Sequence, residues 1–343
     1  MSEAQPAAPA KLSLSTKLFY GSGAVAFGVK DQGFSSLLLI FYNQVIGLPA
    51  ATVGLAIMIA LVFDSLLDPI MGQVSDNWRS RWGRRHPFMY AAALPAALSF
   101  ILLWNPPDWS QPAQVAYLVV VAVVIRSFIT MYEIPSAALA PELTQDYHDR
   151  TRVFAFRSFF GWLGGVGMTV LALQVFLKPD ATHPIGQLNP EGYKTYALVA
   201  AATIFAAISI SALGTHRHIP RLRIPPQRRL TLGKLAREMV GTLAHRSFLV
   251  LAGAALFNAM AHGLVLSMTL YVGTYFWQLG SGQLALLTGS SFLAAILALL
   301  LAAPISRGPG KRDTARITKA LSLVLLAAPI SLRLLGVFPQ NGD

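Results

Sequence analysis

The sequence predicts an all-α polytopic membrane protein: a six-helix N-terminal bundle followed by an incomplete C-terminal bundle, about nine transmembrane helices in all. Hydrophobic residues make up 54% of the chain and charged residues only 12%, against about 25% charged in a soluble domain. Mean hydropathy is +0.54. About nine apolar runs of roughly 20 residues follow one another, each long enough for a hydrocarbon core of about 30 Å. They do not alternate in ten-residue segments, which excludes a membrane β-barrel.

The runs fall at about 19–46, 52–75, 87–105, 114–140, 153–177, 195–214, 247–277, 283–306 and 316–338. Basic residues sit in alternate connections. Segment 76–86, DNWRSRWGRRH, carries four arginines. Segment 215–237 carries Arg217, Arg221, Arg223, Arg228, Arg229, Lys234 and Arg237, and segment 307–319 carries Arg307, Lys311, Arg312, Arg316 and Lys319. The intervening loops carry only Lys178 and Lys194. This positive-inside pattern predicts a cytoplasmic N-terminus. It also assigns the net charge of +12 to topology and anionic lipid rather than nucleic acid. The Pro- and Arg-rich stretch 215–246 reads as a cytoplasmic linker between an N-terminal bundle, 1–214, and a partial bundle of about three helices, 247–343. The six-plus-three count reads as a truncated twelve-span plan, the other reading being a protein short by design. The N-terminus, MSEAQPAAPAKLSLSTK, lacks the signal-peptide pattern, and the absence of cysteine excludes disulfide and thiol chemistry.

Span one carries Lys30 and Asp31 among small residues, Gly21, Gly23, Gly28 and Gly33, that permit close helix packing. Adjacent residues point about 100° apart, so the two do not share a face. One reading is a structural ion pair. The other has Asp31 facing a cavity and accepting hydrogen bonds from a polar solute. Span two carries Asp64 and Asp68. A charge at membrane depth costs about 2.5–3.5 kcal/mol or more, and i, i+4 spacing puts both acids on one helix face. Such a pair can hold a cation, Na⁺ included, or share a proton; alternatively it pairs with Arg or Lys on a neighbour. Pro69 interrupts the backbone ladder just after it. Asp76 reads as a loop ion pair with nearby arginines.

Span three is uncharged. Span four carries Arg126, Thr130 and Glu133 on one stripe, which should face the interior. Thr130 offers a hydroxyl to a cation or a sugar. Glu133 is either an acid opposite the first two or the salt-bridge partner of Arg126 or Arg157. Span five carries Arg152 at its start, then Arg157, which either snorkels or donates a fork of hydrogen bonds. Gly161, Gly164, Gly165 and Gly167 follow as a packing stripe. Spans six and eight are apolar. Span seven carries Asn258 and His262 at i, i+4, for interhelical hydrogen bonding or proton relay. Arg333 reads as interfacial. There is no Walker loop, HExxH or GxSxG, which argues against an enzyme or an ATP-driven pump.

The run DSLLDPIMGQVSDNWRSRWGRRHPFM resembles the glycoside–pentoside–hexuronide cation symporters (melibiose carrier-like) of the major facilitator superfamily. The likeness extends to YGSGAVAFGVKD, YNQVIGL, TMYEIPSAALAPEL, FRSFFGWLGG and the stretch around Asn258, so it covers most of the chain. The resemblance implies two six-helix bundles that rock about a central site. It implies cation binding at Asp64, Asp68 and Thr130, and sugar binding at Asp31, Glu133, Arg157 and Lys30. Arg126, Asn258 and His262 are then modulators. There are departures. Against the melibiose carrier, Glu133 replaces an Asp, Ala137 a sugar-stacking Trp and Arg126 a small residue, and the family's last three helices have no counterpart. The expectation is a monomeric, cofactor-free symporter of the bacterial inner membrane, coupling Na⁺ or H⁺ to a glycoside or other sugar. Two alternatives stand beside it: a same-fold transporter of an amphipathic or lipid-like solute, and a truncated, non-transporting membrane protein.

Overall fold

Inside a bilayer the backbone has no water to bond, so a spanning segment must satisfy its own N–H and C=O groups as a helix. The chain follows that rule. A computed structural model describes residues 12–144, 146–221, 245–306 and 310–337, with Gly233 and Gly241, and every regular element in it is helical. We number the long helices α1 (Leu14–Val45), α2 (Ala50–Asn77), α3 (His86–Leu103), α4 (Gln111–Leu143), α5 (Tyr147–Leu171), α6 (Pro190–His216), α7 (Arg246–Phe276), α8 (Ser281–Ser306) and α9 (Gly310–Leu334). Among the described residues eight helices are long and apolar enough to cross a membrane. Most of the expected linker, with Arg223, Arg228, Arg229, Lys234 and Arg237, lies outside the described residues, as does Arg307.

Several helices start earlier than the apolar runs. α1 begins at Leu14, where Ser13 accepts a hydrogen bond from the Thr16 amide. α5 begins at Tyr147, capped by Asp146, and α6 at Pro190, capped by Asn189. A side-chain oxygen at such a cap satisfies amides that the helix leaves unpaired, so polar sequence extends the helix beyond the hydrocarbon. Arg152 therefore lies within α5 rather than at its start. Asp76 belongs to the last turn of α2, not to a loop, and Lys311, Arg312, Arg316 and Lys319 belong to α9.

α1 crosses α5 at backbone distance because both helices are glycine-bearing there. A Cβ on Gly164 would stand 2.7 Å from Val25 Cα, and one on Gly165 2.8 Å from the Gly28 carbonyl oxygen. A Cβ on Gly28 would collide with the Gly161 carbonyl. Gly167, expected in the same stripe, meets nothing within 4 Å. α2 packs on α4, α4 on α3, α3 on α6, and α6 on α1, closing the N-terminal six into one bundle. An aromatic cluster fills its end opposite the basic 76–86 turn. There Trp104 stacks on Tyr193 at 5.6 Å, and the buried Tyr42 hydroxyl donates to the Leu103 carbonyl at 2.7 Å.

α7 meets the bundle at that same far end. Tyr271 donates to Asn43 at 2.6 Å, Tyr275 donates to Gln44 at 2.7 Å, and Gln187 donates to Thr274 at 3.1 Å. The buried residues of α7 are Leu270, Gly273 and Thr274, all in its last two turns, and everything from Arg246 to Thr269 is exposed or half-exposed. The halves are thus tied at the far end and free of each other along α7 toward the basic end. Arg333 lies 4.8 Å and 4.7 Å over the Phe276 and Trp277 rings.

Gly165→Ala should lower stability by about 1–3 kcal/mol, the usual cost of overpacking, while Gly167→Ala should be neutral. Thermal unfolding of both variants in detergent checks the contrast; equal melting would refute the close crossing.

Candidate cation and solute site

The α2 and α4 helices carry their polar stripes toward each other. Asp64 and Asp68 lie one turn apart on α2, opposite Arg126, Thr130 and Glu133 on α4. Arg126 donates to Asp64 Oδ2 at 2.6 Å, and Thr130 donates to Asp64 Oδ1, also at 2.6 Å. Thr130 Oγ1 is 3.4 Å from Asp68 Oδ1. One hydroxyl therefore stands between two carboxylates, while a guanidinium covers the remaining oxygen of one of them. Arg126 and Thr130 are buried; Asp64 keeps 18% of its side chain exposed. Asp68 is exposed and has no ion-pair partner among the described residues.

A second group forms one turn along. Arg157 on α5 donates to Glu133 at 3.1 Å and to the Tyr20 hydroxyl at 3.4 Å, with the Phe27 ring 4.9 Å beneath it. Of the two partners open to Glu133 in the sequence, Arg157 is the actual one. Lys30 is buried and pairs with Asp31 at 2.5 Å, while Asp31 remains 57% exposed. Adjacent positions on a helix do not share a face, yet the lysine stem is long enough to fold back onto its neighbour. α1 joins the two groups, since it carries Lys30, Asp31, the Phe27 ring under Arg157 and the Phe34 ring under Arg126. Seven charged side chains from α1, α2, α4 and α5 thus make one cluster.

Asn258 and His262 do not join it. Lys319 of α9 donates to Asn258, and His262 is exposed on α7. The aromatic floor of the site was not anticipated. Phe34 lies 4.9 Å under Arg126 as Phe27 lies under Arg157. A signal was present: Tyr20, Phe27 and Phe34 recur every seven residues, which keeps them on one face of α1. At the basic end, Asp76 pairs with Arg85 at 3.1 Å and Arg84 at 3.6 Å, as read from the sequence. Glu142, which both arginines also grip, was missed. Among the described residues no three His, Asp or Glu side chains converge on a metal position. A cavity of about 370 Å³ lies at the far end between Pro184, Gln187, Tyr275 and Gln278, and no residue of the charged cluster lines it.

A bundle of membrane-spanning helices that holds paired charges of both signs at mid-depth is the build of a solute transporter rather than of an enzyme. The family model described as MFS/sugar transport protein matches residues 19–340, and the chain belongs to that family, whose members are transporters. Among its relatives, the uncharacterized symporter sll1374 of Synechocystis is 34% identical over 60% of this chain and 38% of that protein. The isoprimeverose transporter of Lactiplantibacillus pentosus is 28% identical over 46% of this chain and 33% of its own length. The sodium-dependent lysophosphatidylcholine symporter 1 of Xenopus tropicalis is 24% identical over 48% of this chain and 32% of its own. The matches thus span less than half the length of each of these relatives.

Thr130→Val removes the hydroxyl between the two acids and should cost about 1 kcal/mol of stability, the usual worth of one such bond. Thr130→Ser should retain wild-type stability. Denaturant or thermal unfolding of the pair checks it, and an unchanged valine variant would contradict the bridging role.

Proposed function

We propose that the chain is a cation-coupled secondary symporter of a sugar-like solute, working by alternating access. The observation that carries this reading is the α2–α4 junction, where Thr130 stands between Asp64 and Asp68 at membrane depth. A monovalent cation, Na⁺ or H⁺, binds at Asp64, Asp68 and Thr130. Asp31, Glu133, Lys30 and Arg157 bind the solute, because fixed carboxylates and forked donors suit a polyhydroxylated molecule. The four acids and three bases of the cluster leave one negative charge in excess. One bound cation neutralises it, which ties solute affinity to cation binding by a reciprocal free energy. The family description and the isoprimeverose relative support a sugar. The setting we assign is a bacterial inner membrane with a cytoplasmic N-terminus, following the basic turns. The far-end contacts are then the closed outer side.

A second reading keeps the mechanism and changes the solute to an amphipathic lipid. Ala137 on α4, where the melibiose carrier has Trp, and the lysophosphatidylcholine relative favour it.

Uptake of labelled pentosides, glycosides and lysophosphatidylcholine into vesicles under an imposed Na⁺ or H⁺ gradient tests both readings. Gradient-driven accumulation of one solute is expected, with Asp64→Asn and Asp68→Asn reducing it tenfold or more. Accumulation that survives both substitutions would remove the cation site from these residues. Glu133→Gln should weaken solute affinity about tenfold, the loss of one charge-assisted bond, and leave cation binding in place. Unchanged solute affinity would refute its role.

A further inference from the structure

We infer that Arg126 is a built-in cation, filling the Asp64 half of the site so that the chain rejects sodium and takes a proton at Asp68. The inference rests on the cation site proposed above and adds its selectivity.

Arg126 cannot be an interfacial arginine that has strayed inward. It lies about 15 residues from either end of α4, more than ~20 Å at a helical rise of ~1.5 Å. Its side chain is buried, stacked over Phe34, and joined to Asp64 Oδ2 at 2.6 Å. Its Nε is buried without a hydrogen-bond partner. A guanidinium that leaves one of its own donors unsatisfied to reach a carboxylate is held there by charge.

Each Asp64 oxygen already accepts a short hydrogen bond, one from the Arg126 guanidinium and one from Thr130. A sodium ion coordinated by Asp64 and Asp68 would have to displace Arg126 from Oδ2 or sit beside its charge. Two unit charges ~4 Å apart at an effective dielectric of ~20 repel enough to weaken binding by roughly a thousandfold. A proton needs no coordination shell and only one free oxygen. Asp68 supplies it. The groups facing Asp68 are Asp64 on its own helix, Lys30 from α1, and Thr130 and Arg126 from α4; Glu133, with Arg157 beyond it, lies in the same cluster. Charge counting sets how many cations the cluster takes, not which one. With Arg126 present the cluster lacks one positive charge, which one proton supplies. A neutral residue at 126 leaves it lacking two.

The test is equilibrium binding of radioactive sodium to the purified full chain in a choline background. Six proteins are compared: wild type, Asp64→Asn, Asp68→Asn, Arg126→Lys, Arg126→Gln, and Arg126→Gln with Asp68→Asn. We expect no saturable sodium in the wild type or the lysine variant. We expect a gain of about a hundredfold or more in affinity in Arg126→Gln, and its loss in the double variant. Sodium bound by the wild type overturns the inference whether or not any variant folds. If that binding also disappears in Asp64→Asn and Asp68→Asn, the cation site itself stands and only its selectivity is refuted. A folded Arg126→Gln that binds no more sodium than the wild type also overturns the inference. Proton-driven uptake that is lost on Asp68→Asn would still uphold the symporter reading.

Discussion

The Arg126–Asp64 pair is the contact on which the rest of the site depends. α2 buries little: Val53, Ala56, Ala60 and Ser75 are its buried residues, all but one of them near its first half. Apolar packing therefore seats the first half of the helix and leaves the second half to polar contacts. Two such contacts do that work. Asp64 is fixed to Arg126 and Thr130 at mid-depth, and Asp76 to Arg84 and Arg85 at the basic end. A buried ion pair adds little net stability over an apolar substitute, but removing one partner strands the other at a cost of about 3–5 kcal/mol. The pair thus specifies where α2 sits rather than stabilising it outright.

The solute side depends on a different constraint. Lys30, Asp31 and Arg157 come within reach of α2 and α4 only because α1 and α5 cross at backbone distance, through Gly28, Gly161, Gly164 and Gly165. With side chains at that crossing, α5 would stand farther off, and Arg157 could not reach both Glu133 and Tyr20. The glycines set the distance and the charges use it. The far-end ties of Tyr271 and Tyr275 to α1 then hold α7 against the same helix that carries Lys30 and Asp31. Movement between the halves would act on the site through α1, and through α5, on which α8 packs.

Much of this was legible in the sequence. Apolar run length gave the helices, because a spanning backbone has no alternative to the helix. Their ends were misplaced where caps at Ser13, Asp146 and Asn189 carry the helix past the hydrocarbon. The i, i+4 and i, i+3 spacings placed Asp64, Asp68, Arg126, Thr130 and Glu133 correctly on facing stripes. Pairing was not legible. Spacing shows which residues share a face, but not that Arg126 chooses Asp64 while Arg157 chooses Glu133, since that depends on helix offset. The Lys30–Asp31 ion pair was one of two readings left open, and spacing could not choose it, since the two residues leave the helix in different directions and only the length of the lysine brings them together. Asn258 and His262 met the spacing rule for partners, yet α7 carries them away from the acids.

The central claim is that Arg126 and Asp64 act as one unit. A double-mutant cycle measures it: unfolding free energies of the full chain, of Arg126→Gln, of Asp64→Asn and of the double variant, at one pH and salt concentration. Each single change strands a charge and should destabilise, while the double change removes both charges and should restore much of the loss. The expected coupling is about 1 kcal/mol or more. Additive single effects, within about 0.3–0.5 kcal/mol, would contradict the account.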